Sequence, residues 1–136
     1  MEGVTMFQGV DHVVIAVGDL EAAIQQYETI YGIPATDRGE PLGAGFRNAY
    51  FRFDSTFLEL ISPLSESGPV AKRLAASGDG MYLVAMRVDS LAESVAQLRE
   101  RGVRLLGDPG PGKPIEGQIF IHPASAGGVL TQLVQR

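Results

Sequence analysis

Cysteine and tryptophan are absent from the 136 residues. Without cysteine there is no disulfide framework, no thiolate metal ligand and no thiol nucleophile. Histidine is scarce: His12 and His122 are the two copies. Long apolar runs are missing too. The longest, such as residues 13–17, fall far short of the roughly 20 residues that a membrane-spanning helix needs, so no membrane partner is expected. Basic residues number 11 against 16 acidic, giving a formal net charge of -5. They are scattered, which predicts no nucleic-acid partner. Their densest group, Arg99, Arg101 and Arg104, is expected to be a solvated helix end, because cations favour helix C-termini. Residues 1–9 lack a basic start followed by an apolar run. No signal peptide is therefore expected, and the expected location is cytoplasmic.

What is present is an average globular composition, 45% hydrophobic and 20% charged. The length suits one domain with a core of its own. Residues 10–17 are rich in β-branched side chains between Gly9 and Gly18, the pattern of a strand. Asp19 can cap a helix over residues 20–31, where Leu20, Ala23, Ile24 and Tyr27 keep helical spacing and Gly32 stops it. Residues 34–40 suggest a short strand. Residues 46–53 and 56–62 suggest two more, joined by a turn at Asp54 and Ser55. Within the linker 63–80, residues 70–74 suggest a short helix.

The pattern then recurs. Residues 81–88 suggest a strand, and Ser90 caps a helix over 91–101 that Gly102 ends. Strands are expected at 103–106, 118–122 and 129–134. An offset of 71 positions carries His12 onto Leu83 and Leu20 onto Leu91, and residues 57–61 lie over 130–134. Such self-similarity predicts two pseudo-symmetric halves. The expected fold class is α+β, one domain over residues 1–136. It would hold two β-α-β-β-β modules, about 9–64 and about 79–136, forming a curved mixed sheet around a cleft.

Side chains alternate across a strand, so parity decides which of them face such a cleft. Polar residues inside apolar strands are the informative ones, because burying them without partners is costly. His12, Asn48, Glu59 and Gln132 qualify. His12 and Glu59 could supply imidazole and carboxylate to a divalent metal. His12 could equally be a hydrogen-bonded structural histidine. His122 precedes Pro123, which restricts it, and is expected in a turn. Residues 107–114 contain Gly-Pro-Gly-Lys-Pro and form either a plain surface loop or a ligand-covering lid with Lys113 at its tip.

Several stretches together carry a resemblance. They are Val-Asp-His-Val-Val-Ile-Ala-Val at 10–17 with Asp19 and Leu20, Leu-Glu-Leu-Ile-Ser-Pro-Leu at 58–64, Val70-Ala71-Lys72 with Leu74, and Arg87-Val88-Asp89. Arg-Gly-Val-Arg-Leu-Leu at 101–106, His122-Pro123 with Ser125, and Gly128-Val129-Leu130 complete the set. In order and spacing they resemble the vicinal oxygen chelate superfamily of glyoxalases, bleomycin-resistance proteins and dioxygenases, and within it the methylmalonyl-CoA epimerase family. The resemblance implies paired β-α-β-β-β modules and a homodimer. It also implies a divalent ion (zinc, cobalt, manganese, nickel or iron) held by one ligand from each of four strands. The reaction it implies is removal of the proton α to a thioester carbonyl by carboxylate bases on opposite faces, with the metal stabilising the enolate.

Carried over residue by residue, the implied ligands are His12 and Glu59, then Leu83 where the family has histidine, and Gln132 where it has glutamate. Asn48 takes the place of the second base. An amide accepts no proton at neutral pH, so Asn48 and Gln132 cannot be general bases. Ordinary two-base epimerisation is therefore expected to be absent or very weak. Besides a lapsed copy with no retained ligand, two functional readings remain. One is a glyoxalase- or epimerase-like enzyme, of isomerase or lyase type, acting on an acyl thioester or related carbonyl compound. In it Glu59 is the base, Asn48 and Gln132 donate hydrogen bonds, and any metal sits on His12, Glu59 and Gln132. The other is a metal-free protein that binds or sequesters a small ligand.

Overall fold

The computed structural model describes residues 6–136. The expectation of no signal peptide rests in part on residues 1–5, which lie outside the described residues. In chain order the elements are β1 (Phe7–Ala16), α1 (Leu20–Tyr31), β2 (Thr36–Gly39), β3 (Phe46–Arg52), β4 (Phe57–Pro63) and α2 (Pro69–Ser77), followed by β5 (Gly80–Val88), α3 (Leu91–Glu100), β6 (Leu105–Leu106), β7 (Ile119–Ile121) and β8 (Thr131–Gln135). The chain divides into two compact units. The first is His12–Tyr82, and the second is Leu83–Arg136 together with residues 6–11. Among the described residues no helix is long and apolar enough to cross a membrane.

In the first unit β1 runs parallel to β4, β4 antiparallel to β3, and β3 antiparallel to β2. The helix that follows β1 starts where the Asp19 carboxylate accepts the Ala22 N–H at 3.1 Å, satisfying one orphan donor of the first turn. It stops at Gly32, whose φ of 69° suits a residue without Cβ. Leu20, Ala23 and Ile24 are its buried stripe. They pack against Val17, Ala49, Phe51, Leu58 and Leu60 from the sheet. Burial of that set, with Phe51 and Leu60 fully enclosed, is what fixes the helix on this face of the strands.

The second unit repeats the plan. Strand β5 is parallel to β8, β8 antiparallel to β7, and β7 antiparallel to β6. Ser90 caps α3 by accepting the Glu93 N–H at 3.2 Å. Val95 and Leu98 pack on Val88, Ile119 and Leu133. The α+β class and the two β-α-β-β-β modules with mixed strand directions are thus present.

Strand register makes the internal equivalence exact to the residue. Val14 pairs with Glu59 in the first unit, and Ala85 pairs with Gln132 in the second. The offset of 71 carries Val14 to Ala85 and His12 to Leu83, so Glu59 and Gln132 hold the same station in their modules. In the antiparallel pairs, Tyr50 opposes Glu59 as Phe120 opposes Gln132.

Several second-unit elements are shorter than the sequence suggests. The strand expected at 103–106 is confined to Leu105 and Leu106, because the Val103 N–H donates to the Leu98 carbonyl and the Arg104 N–H to the Ser125 hydroxyl; it ends at Gly107. There φ is 87°, and a Cβ would lie 2.2 Å from the Gln118 carbonyl oxygen. The strand expected at 118–122 loses its end because His122 caps a 3-10 turn, Pro123–Ser125. Its Nδ1 accepts the Ala124 N–H at 2.9 Å. Of the arginine group, Arg101 and Arg104 are exposed as expected, whereas Arg99 is half-buried. Arg99 makes two hydrogen bonds to the Asp108 carboxylate, at 3.0 and 2.6 Å. This fork ties the 107–114 loop to α3, and Gly110, Lys113 and Ile115 line a cavity of about 430 Å³ with Leu91, Val95 and Arg99 of that helix.

Candidate active site

Alternation along β3 sends Ala49 and Phe51 into the helix-side core. It leaves Asn48, Tyr50 and Arg52 on the opposite face. On β4 the same rule sends Leu58 and Leu60 inward and leaves Phe57 and Glu59 beside them. On β1 it leaves His12. Five of these side chains, with Arg52, form one contact network in the first unit.

Its centre is Asn48, nearly fully buried at 3% exposure. The Asn48 Nδ2 donates to Glu59 Oε2 at 2.9 Å and to Tyr50 Oη at 3.2 Å. A carboxylate only accepts, so the amide nitrogen rather than its oxygen must face Glu59. The Tyr50 ring meets Phe57 edge to face at 5.2 Å, and Phe57 stacks on the buried His12 ring at 4.4 Å with planes 10° apart. The Arg52 guanidinium lies 4.8 Å from the Tyr50 ring centroid and 5.3 Å from that of Phe57. It is anchored by the Asp37 carboxylate at 2.8 Å. Asp37 itself has a φ of 52°, a left-handed conformation that aspartate tolerates better than most residues. Burial, then the neighbouring Glu59 charge, pushes the Tyr50 hydroxyl above the usual tyrosine range, partly offset by Arg52 and Asn48. The hydroxyl is therefore protonated at neutral pH.

Of the residues nominated from sequence, Asn48 and Glu59 are in direct contact, and His12 joins them through Phe57 and Tyr50. Gln132 lies in the second unit. It alternates with Leu133, which faces the α3 core, so Gln132 sits on the face away from that helix. Leu83 is buried on β5. Tyr50, Arg52 and Phe57 escaped the sequence reading. The signal was there, since Tyr50 and Arg52 share Asn48's parity and Phe57 shares that of Glu59. Aromatic and cationic side chains on strands look ordinary until their contacts are known.

The donor set does not fit the four-ligand divalent site that the resemblance implies. His12 and Glu59 are suitable ligands, but an alkyl chain stands at Leu83 and a neutral amide at Gln132. Among the described residues no group of three or more histidine, aspartate or glutamate side chains converges to hold a metal ion. What the first-unit cluster offers instead is one carboxylate, one amide serving it, and one protonated hydroxyl.

Residues 10–120 match the glyoxalase-like domain model. The chain is 34% identical over 133 residues to the mitochondrial methylmalonyl-CoA epimerase of Bos taurus, a match covering 92% of this chain and 73% of that protein. Its fold is similar to that of methylmalonyl-CoA epimerase from Mycobacterium tuberculosis. There the TM-score is 0.83 at 36% identity, over 99% of this chain and 92% of the other. A variant of the Streptomyces coelicolor methylmalonyl-CoA epimerase in complex with 2-nitronate-propionyl-CoA is similar at a TM-score of 0.82 and 31% identity, over 95% and 97% of the two chains.

Proposed function

We propose, since the chain belongs to the glyoxalase-like domain family, that it is an enzyme drawing the proton α to the carbonyl of a small acyl thioester or related compound, with Glu59 as its one base. The observation that carries this reading is the 2.9 Å contact from Asn48 to Glu59. A carboxylate held by a buried amide has a fixed orientation, and a general base must be aimed as well as basic. The acyl-thioester substrate class is supported by the epimerase relatives and by the CoA thioester analogue that the Streptomyces protein binds.

The reaction begins when the α C–H bond breaks. Its proton passes to a Glu59 oxygen, and the electron pair moves onto the carbonyl oxygen as an enolate. Return of the proton from Glu59 reverses the step. Neither Asn48 nor Gln132 can act as a second base. Proton removal and return therefore occur from one side of the substrate. Gln132, a neutral amide, supplies no proton-transfer group, and no step is routed through a metal.

The poor metal-ligand set also favours a second reading, a metal-free ligand-binding protein. Incubating the protein with methylmalonyl-CoA or propionyl-CoA in deuterium oxide separates the two. The enzyme reading expects deuterium at the α carbon, lost on removal of Glu59. Thioester binding with no exchange above the protein-free rate would favour the binder and end the enzyme reading.

A further inference from the structure

Asn48 has two hydrogens on Nδ2, and the cluster uses both. One reaches Glu59 Oε2 at 2.9 Å and the other Tyr50 Oη at 3.2 Å. Asn48 therefore has no donor left for a ligand. Tyr50 is in the opposite position. Its oxygen accepts from Asn48, so its own hydrogen is uncommitted, and among the described residues Tyr50 Oη donates to none. It places that hydrogen beside Glu59, its cross-strand partner.

The hydroxyl is also held in place. Phe57 packs against the ring edge to face, and the Arg52 guanidinium covers it while Asp37 anchors that guanidinium. A donor fixed before reaction stabilises developing charge without reorganising during it. The upward shift of the hydroxyl, caused by burial and by Glu59, keeps its proton in place.

We propose that Tyr50 is a catalytic residue whose hydroxyl donates a hydrogen bond to the substrate's carbonyl oxygen as enolate charge collects there. The Tyr50 proton stays on Tyr50, and the transferred proton is the one that Glu59 takes. One nitrogen, Asn48 Nδ2, lies 2.9 Å from Glu59 Oε2 and 3.2 Å from Tyr50 Oη, so base and donor stand close enough together to serve an α hydrogen and the carbonyl oxygen one carbon away. The inference rests on the acyl-thioester reading above and adds a second working group to it.

The test compares two ligands on the parent protein and on Tyr50→Phe, which keeps the ring and removes the hydroxyl. 2-Nitronate-propionyl-CoA carries negative charge on oxygen and stands in for the enolate, whereas propionyl-CoA stands in for the uncharged thioester. The nitronate should bind Tyr50→Phe at least about tenfold more weakly than it binds the parent, with propionyl-CoA unchanged and the melting temperature preserved. Equal weakening of both ligands, or of neither, would overturn the role of Tyr50 while leaving the thioester site standing. A parent protein that binds neither ligand would overturn the site reading itself, and the role of Tyr50 with it.

Discussion

The two units carry the same backbone plan and different chemistry. On the helix side their cores correspond: Ala49, Phe51, Leu58 and Leu60 in the first, Ile119 and Leu133 in the second. On the other face they part. Where the first unit has His12, Tyr50 and Glu59, the second has Leu83, Phe120 and Gln132 at the stations that strand register makes equivalent. One polar group after another is replaced by a hydrocarbon or a neutral amide. Packing constrains the helix-side face of both units alike, since each must bury an apolar stripe. The opposite face buries apolar side chains as well, Val14, Ile61 and Leu83 among them, and it still loads its proton-handling groups onto one unit.

If that contrast is right, Glu59→Gln has the largest effect. It preserves shape and the contact with Asn48 while removing the base. Deuterium exchange into an acyl thioester should fall by about 10²- to 10⁴-fold with little change in melting temperature. An unchanged exchange rate would place the base elsewhere.

Core truncations should treat the two units alike. Phe51→Ala should cost about 3–5 kcal/mol, and Ile119→Ala in the second unit about 2–5 kcal/mol, both measured by denaturant unfolding. A cost near zero at either would mean that the helix-side cores are not equivalent in weight.

A smaller effect is expected at the Arg99–Asp108 fork; the first unit instead ties α1 to β2 through Glu21 and Arg38. The Arg99 side chain, then the Gly110 N–H, holds the Asp108 carboxyl below the usual carboxylate range. A carboxyl depressed in the folded state contributes stability above its unfolded pKa of about 3.9, and that contribution is lost as pH falls through the folded value. Parent melting temperature should therefore fall more steeply below about pH 4 than that of Asp108→Asn. Parallel curves would show that the fork adds nothing to stability.

Phe120→Tyr should do least. It gives the second unit the hydroxyl that Tyr50 gives the first, but places it opposite Gln132 rather than a carboxylate. Exchange should hold at the parent rate, and stability within about 1 kcal/mol. A large change in exchange would assign catalytic work to the second unit.

Much of this contrast was legible in the sequence. Caps at Asp19 and Ser90, the stop at Gly32 and the 71-residue offset located both helices and paired His12 with Leu83. Boundaries failed where one local contact overrode propensity, as with the Arg104 N–H taken by the Ser125 hydroxyl and His122 turned into a cap before Pro123. In the site, Asn48 and Glu59 stood out because polar groups in apolar strands demand partners. Who those partners are is a matter of distance, which parity narrows but does not supply. Sequence alone made Asn48 a donor to a ligand, whereas its two N–H groups point to Glu59 and Tyr50. Arg99 likewise looked like a solvated end until Asp108, nine residues on, folded back onto it.

The central claim is that proton transfer is confined to one carboxylate in the first unit. Its most direct test is to follow a single enantiomer of methylmalonyl-CoA in deuterium oxide, measuring α-deuterium uptake and inversion of configuration in the same sample. A single base returns the proton to the side from which it came. Uptake should therefore outrun inversion by about 100-fold or more, with the starting configuration retained. Uptake and inversion at equal rates would require a second base on the opposite side and would contradict the account.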